Sequence, residues 1–85
     1  MEKYSVEIVP KAEKEFRKRA AAIKARVREK ILSLEENPRI SGSKKLRETE
    51  FYRIRVGDYR AIYSIFDKEK VIKILSIGHR KEVYR

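Results

Sequence analysis

The run FYRIRVGDYRAIY, from Phe51 to Tyr63, constrains this chain more than any other part of it. Gly57-Asp58 sits between two alternating runs rich in β-branched and aromatic residues, which is the signal for a hairpin closed by a two-residue loop. Pairing Val56 with Tyr59 and counting outward sets Arg55 opposite Arg60, Ile54 opposite Ala61, Arg53 opposite Ile62 and Tyr52 opposite Tyr63. One face then carries Tyr52, Ile54, Val56, Tyr59, Ala61 and Tyr63. The other gathers Arg53, Arg55 and Arg60. Like charges directly opposite one another destabilise a sheet by up to about 1 kcal/mol. The hairpin alone leaves two readings open: a solvated outer face with splayed arginine heads, or a preorganised pocket for phosphate.

Upstream, residues 4–9 alternate as a half-buried strand, and Pro10 both ends it and suits the first turn of a helix. Ala12, Phe16 and Ala20 follow at a spacing of four. Ile23, Val27, Ile31 and Leu34 continue the apolar stripe, joined by Leu32, as in amphipathic helices lying on a sheet. No Gly or Pro interrupts residues 11–36, yet one helix of that length would reach about 39 Å. A turn within residues 18–22 is therefore expected, making two antiparallel helices. Asn37-Pro38 is the stop signal, and residues 39–50 read as a polar connection with Leu46 tucked onto the core.

Downstream of the hairpin, residues 67–70 form a second turn and residues 71–77 a further strand. Pairing Phe66 with Val71 places Ile72, Ile74 and Ser76 on the Tyr63 face, and Lys73, Leu75 and Ile77 on the arginine face, with Ile77 opposite Arg60. The more continuous apolar face should carry the helices. Ile62, Leu75 and Ile77 would then need cover on the other. The expected fold is α+β: a small antiparallel sheet in the order β-α-α-β-β-β, packed on one face by a helical hairpin, as one domain over residues 1–85.

Composition narrows the partners. With 23 Lys and Arg against 13 Asp and Glu, the formal charge is +10 over 85 residues, so the natural partner is polyanionic. The absence of Cys removes disulfides and thiolate chemistry, and a single His cannot build a multi-histidine metal site. No apolar stretch approaches a membrane span and no signal peptide opens the chain. A soluble, cytoplasmic protein without cofactor, metal or membrane contact is expected.

The chain closes on GHRKEVYR, residues 78–85. Gly78 lets the backbone leave the sheet near Arg60, so His79, Arg80 and Tyr84 are expected to join Arg53, Arg55 and Arg60 at one site. Taken separately, each has a plain reading as polar surface or core packing.

Taken together, the chain resembles the RelE/ParE superfamily of bacterial and archaeal toxins, in its RelE branch. The resemblance rests on the opening strand and charged helix, LEENP at Leu34 to Pro38, Lys45-Leu46-Arg47, YRIRVGDYR at Tyr52 to Arg60, and IGHRKEVY at Ile77 to Tyr84. It implies an endoribonuclease that enters the ribosomal A site and cuts messenger RNA without a metal. The 2′-hydroxyl attacks the adjacent phosphodiester, leaving a 2′,3′-cyclic phosphate and a 5′-hydroxyl.

By motif position, Arg53 and Arg55 match two basic residues of the family's hairpin strand, and Arg60 matches an arginine that stabilises the transition state. Arg80 matches one assigned to leaving-group protonation or charge stabilisation, and Tyr84 one that stacks on or orients the RNA. Lys44, Lys45, Lys73 and Lys81 are further candidates for RNA contact. The best-known members carry lysines at the positions of Arg53 and Arg55. Arginine stays protonated and is no general base, so either His79 assists proton transfer or the arginines activate the 2′-hydroxyl electrostatically.

The resemblance further implies a co-expressed antitoxin of the RelB kind, with toxin-antitoxin heterotetramers among the family's assemblies; the charge and apolar positions of this chain predict an acidic, helical segment that crosses the basic face and Ile62, Leu75 and Ile77, or displaces the tail. Two other functions compete: inhibition of DNA gyrase in the manner of ParE, and non-catalytic binding of RNA or ribosomes.

Overall fold

The Gly57-Asp58 turn closes the hairpin in the expected register, from Val56 opposite Tyr59 to Tyr52 opposite Tyr63, and Gly57 takes the positive φ of 61° that such a turn requires. The computed structural model describes residues 3–40, 42–46 and 49–79. Its elements are β1 (Ser5–Ile8), α1 (Pro10–Arg17), α2 (Ala21–Glu36), β2 (Ser43–Lys45), β3 (Phe51–Val56), β4 (Tyr59–Phe66) and β5 (Val71–His79). The α+β architecture with a helical hairpin on one sheet face is thus as expected.

The sheet departs from the expected antiparallel, four-stranded one in two ways. Its order is β1-β5-β4-β3-β2, and β1 runs parallel to β5, so the sheet is mixed. The polar connection after α2 contains the short edge strand β2, antiparallel to β3, with Lys44 opposite Arg53 and Lys45 opposite Tyr52. Ser-Lys-Lys has little strand propensity of its own; the unpaired edge of β3 recruits it.

The helical break falls inside the expected window. α1 ends at Arg17 and α2 starts at Ala21, with Ala20 in extended backbone. Nothing local forces it, since Ala20-Ala21-Ala22 favours helix. The molecule's longest dimension is 33 Å, shorter than the unbroken helix would be. Pro10 occupies the first turn of α1, and α2 stops at Asn37.

The core lies between the helices and one sheet face. Ala12, Val27, Ile31 and Leu34 from the helices meet Ile54, Val56, Ala61, Tyr63, Ile72, Ile74 and Ile77 from the strands. Leu32, expected in the helical stripe, is 52% exposed. It borders a shallow groove with Val6, Ile8 and Phe16. Among the described residues, no helix is long and apolar enough to cross a membrane.

A polar clasp closes the end of the sheet remote from the hairpin turn. The Arg39 guanidinium donates to both Asp67 carboxylate oxygens, at 3.3 and 3.0 Å, and its Nε donates to the Tyr52 hydroxyl at 3.2 Å. Tyr4 donates to Asp67 Oδ1 at 2.6 Å. These hydrogen bonds, Arg39 first and Tyr4 second, hold the Asp67 carboxyl at about 2. A carboxylate depressed in this way stabilises the fold above its unfolded value near ~3.9, and that contribution is lost as pH falls towards the folded value. The melting-temperature gap between the protein and Asp67→Asn should therefore persist at neutral pH and close between about pH 4 and 2. Because the pair is half-exposed, added salt should shrink the same gap; a gap that stays constant into acid would assign the clasp no role.

Candidate nucleic-acid interface

Strand alternation and the hairpin register place Arg53, Arg55 and Arg60 on the sheet face turned away from the helices. β2 adds Lys44, opposite Arg53. The four cations differ in burial. Arg55 and Lys44 are exposed and Arg53 is half-buried, whereas Arg60, on the central strand β4, is only 8% exposed. A shallow depression of about 420 Å³ is lined by Gly42, Ser43, Lys44, Arg53 and Arg55. Guanidinium forks suit the planar oxygens of phosphate, and a low-dielectric surround strengthens the field of a cation held in place.

A β-bulge corrects the rest of the expected site. β4 and β5 pair from Phe66 opposite Val71 to Tyr63 opposite Ile74, but then Ile62 faces Ser76 and Ala61 faces Ile77. Leu75 is the extra residue. Each later side chain of β5 changes face, so Ile77 turns into the core at 0% exposure instead of lying over the arginines. Gly78, not Ile77, stands opposite Arg60. The sequence signal was present: Ile72 and Ile74 share one parity and Ile77 the other, so all three can be buried only through a bulge.

The same shift moves His79 to the helix-facing side. It pairs with Tyr59, their rings meeting edge-on at 5.5 Å, and the Arg19 guanidinium lies 5.0 Å from the Tyr59 ring centre. The expected meeting of His79 with Arg53, Arg55 and Arg60 is therefore not what the fold builds. Glu15 of α1 secures this stretch by accepting from the Ile77 amide at 3.0 Å and the Ser76 hydroxyl at 3.3 Å.

Two lysines also fall elsewhere. Lys45 shares the helix-facing side with Tyr52 and borders the hollow beside Arg39 and Asp67. Lys73 is on the outer face but at the far end, its ammonium 5.5 Å from the Phe66 ring centre. Arg80, Lys81 and Tyr84 lie outside the described residues. Among the described residues, no group of three His, Asp or Glu side chains is placed to hold a metal ion. Sequence reading missed Arg26, whose guanidinium lies 3.6 Å from where a Gly57 Cβ would stand; nothing in the helical pattern links α2 to the hairpin tip.

Comparison with known proteins gives a consistent picture. The profile of the family described as the ParE toxin of type II toxin-antitoxin systems, parDE, matches residues 6–84. The mRNA interferase toxin RelE of Escherichia coli K12 is 29% identical over 85 residues, covering 95% of this chain and 90% of that protein. Among solved structures, the archaeal RelE-RelB complex from Pyrococcus horikoshii OT3 matches with a TM-score of 0.83 and 37% identity, over 92% of this chain and 96% of that one. The RelBE2 toxin-antitoxin complex from Mycobacterium tuberculosis matches with a TM-score of 0.82 and 30% identity, over 92% and 99% of the two chains.

Proposed function

This chain belongs to the family of ParE toxins of type II toxin-antitoxin systems, and from that premise we propose that it is a ribosome-dependent endoribonuclease of the RelE type. The observation that carries the reading is the gathering of Lys44, Arg53, Arg55 and Arg60 on one sheet face. The name mRNA interferase carried by the E. coli relative agrees with it.

The reaction is metal-independent transesterification. The 2′-oxygen bonds to phosphorus, its proton passes to solvent, the bond from phosphorus to the 5′-oxygen breaks, and that oxygen takes up a proton. Negative charge concentrates on the phosphorane oxygens, where Arg55 and Arg60 stabilise it and Arg53 and Lys44 hold the flanking phosphates. With His79 on the other face, the 2′-hydroxyl is activated by the field of the arginines. Arg80 acts at the leaving group and Tyr84 stacks on the RNA, as the family resemblance assigns them. The protein works in the cytosol. An acidic helical antitoxin silences it by covering the arginine face.

Primer extension on a defined messenger in a reconstituted translation reaction tests this. Cuts at A-site codons should require ribosomes, fade with Arg80→Ala, and persist with an unaltered pH profile in His79→Ala. Absence of cuts, with inhibition of gyrase supercoiling, would move the chain to the other activity; RNA binding alone would make it a non-catalytic module.

A further inference from the structure

The outer face of β3 presents Arg55, Arg53 and Phe51 in succession, away from the helices. Alternate residues of a strand are about 6.7 Å apart, close to one step of an extended nucleotide chain. Phe51 is 42% exposed. Its backbone is held on both sides, its amide donating to the Thr49 hydroxyl at 3.1 Å and its carbonyl accepting from Leu46 at 2.8 Å. Lys44 stands across from Arg53 on β2, and the depression they line with Arg55 lies on the same face. An aromatic ring continuing a line of phosphate-binding cations is the arrangement that single-stranded nucleic acid uses, with phosphates on the charges and a base on the ring.

Phe66 makes the contrast. It is equally exposed at 42%, but the Lys73 ammonium already lies over its ring, and Glu7 and Glu69 line the hollow around it. Carboxylates there repel a phosphate chain. Exposure alone therefore does not distinguish the two phenylalanines; Phe51 shares its strand and face with Arg53 and Arg55, whereas Phe66 lines a hollow with Glu7 and Glu69.

We propose that Phe51 is a base-stacking subsite of the RNA interface, receiving the base adjacent to the phosphates held by Arg53 and Arg55. The inference rests on the RNA-cleaving reading and adds to it a residue and a direction: the strand runs along β3 from the hairpin tip towards Phe51.

Fluorescence anisotropy of the full chain with a labelled 2′-O-methyl RNA hexanucleotide, which cannot be cut, tests it. A set of hexanucleotides each lacking one base completes the experiment. Phe51→Ala should weaken binding roughly 5- to 100-fold, with Phe51→Trp retaining affinity. The dependence on salt should be unchanged in Phe51→Ala, whereas Arg53→Ala should lower the salt slope by about one. At one abasic position the unaltered protein should lose a similar factor, and Phe51→Ala should add no further loss. Phe66→Ala should bind normally.

The subsite is overturned if Phe51→Ala binds normally, if its loss is the same for every abasic oligomer, or if the unaltered protein binds none of them. Loss of antitoxin affinity alone would assign Phe51 to the protein partner instead. Ribosomal cutting with no Phe51 effect would remove the subsite and leave the nuclease standing; Phe51-dependent binding with no cutting would do the reverse.

Discussion

Replacing Arg60 by alanine is expected to lower the rate of messenger cleavage by about 10²- to 10³-fold, the usual cost of deleting one preorganised donor at a developing anion. Three features set Arg60 apart from the other cations of its face. It lies on β4, the middle strand of the sheet. It is 8% exposed, so its guanidinium is screened little by water. The residue opposite it on β5 is Gly78, which contributes no side chain to that face. Lysine keeps the charge but not the planar fork, so Arg60→Lys should recover only part of the rate. Single-turnover cleavage on stalled ribosomes, with circular dichroism on the same preparations, reads the effect. A folded Arg60→Ala protein cutting within about threefold of the parent would remove Arg60 from the chemistry.

The largest effect on stability is expected at Tyr63. Its ring is fully buried in the core and stacks on Tyr52 at 5.8 Å, while its hydroxyl donates to the Pro38 carbonyl at 2.7 Å. That bond ties the segment leaving α2 to the centre of the sheet, and burial raises the Tyr63 pKa. Tyr63→Ala removes an aromatic ring and should cost about 3–5 kcal/mol. In a domain of this size that lowers the melting temperature by about 15–30 °C. Tyr63→Phe keeps the packing but leaves the Pro38 carbonyl without that donor, at about 1–3 kcal/mol. Thermal melts of both variants check this, and the inequality between them is the sharper part. Equal losses would mean that the hydroxyl, not the ring, holds the structure. At temperatures where both remain folded, their cleavage should match the parent, in contrast with Arg60→Ala.

Legibility of the site followed sequence distance. The pairing of Arg55 with Arg60 could be counted from the turn because only Gly57, Asp58 and two flanking residues separate them. Phe51 was also readable as a member of that strand, but its exposure depended on what the sheet left uncovered. Lys44 joined the arginines only because β2 added itself to the edge of β3. Lys73, on the expected face, stands opposite Ser64 in the row of Phe51, and two strands away from the arginines of β3. His79 shows the sharpest difference, since one inserted residue four positions upstream sent it to the other side of the sheet.

Neighbours along the chain carry the features that local chemistry settles: the hairpin register, the helix start at Pro10, the stop before Pro38, and a basic face built by alternation. A two-residue turn leaves one register, and a proline removes one backbone donor, so a few residues suffice to settle such choices. Tertiary structure decided the parallel pairing of β1 with β5, the recruitment of β2, and the bulge at Leu75. Each of these depends on filling a hydrogen-bonding edge or a core with residues far away in the chain. Burying Ile72, Ile74 and Ile77 together against the helices outweighed regular pairing, and the side chains beyond the bulge, His79 among them, took their faces from that packing.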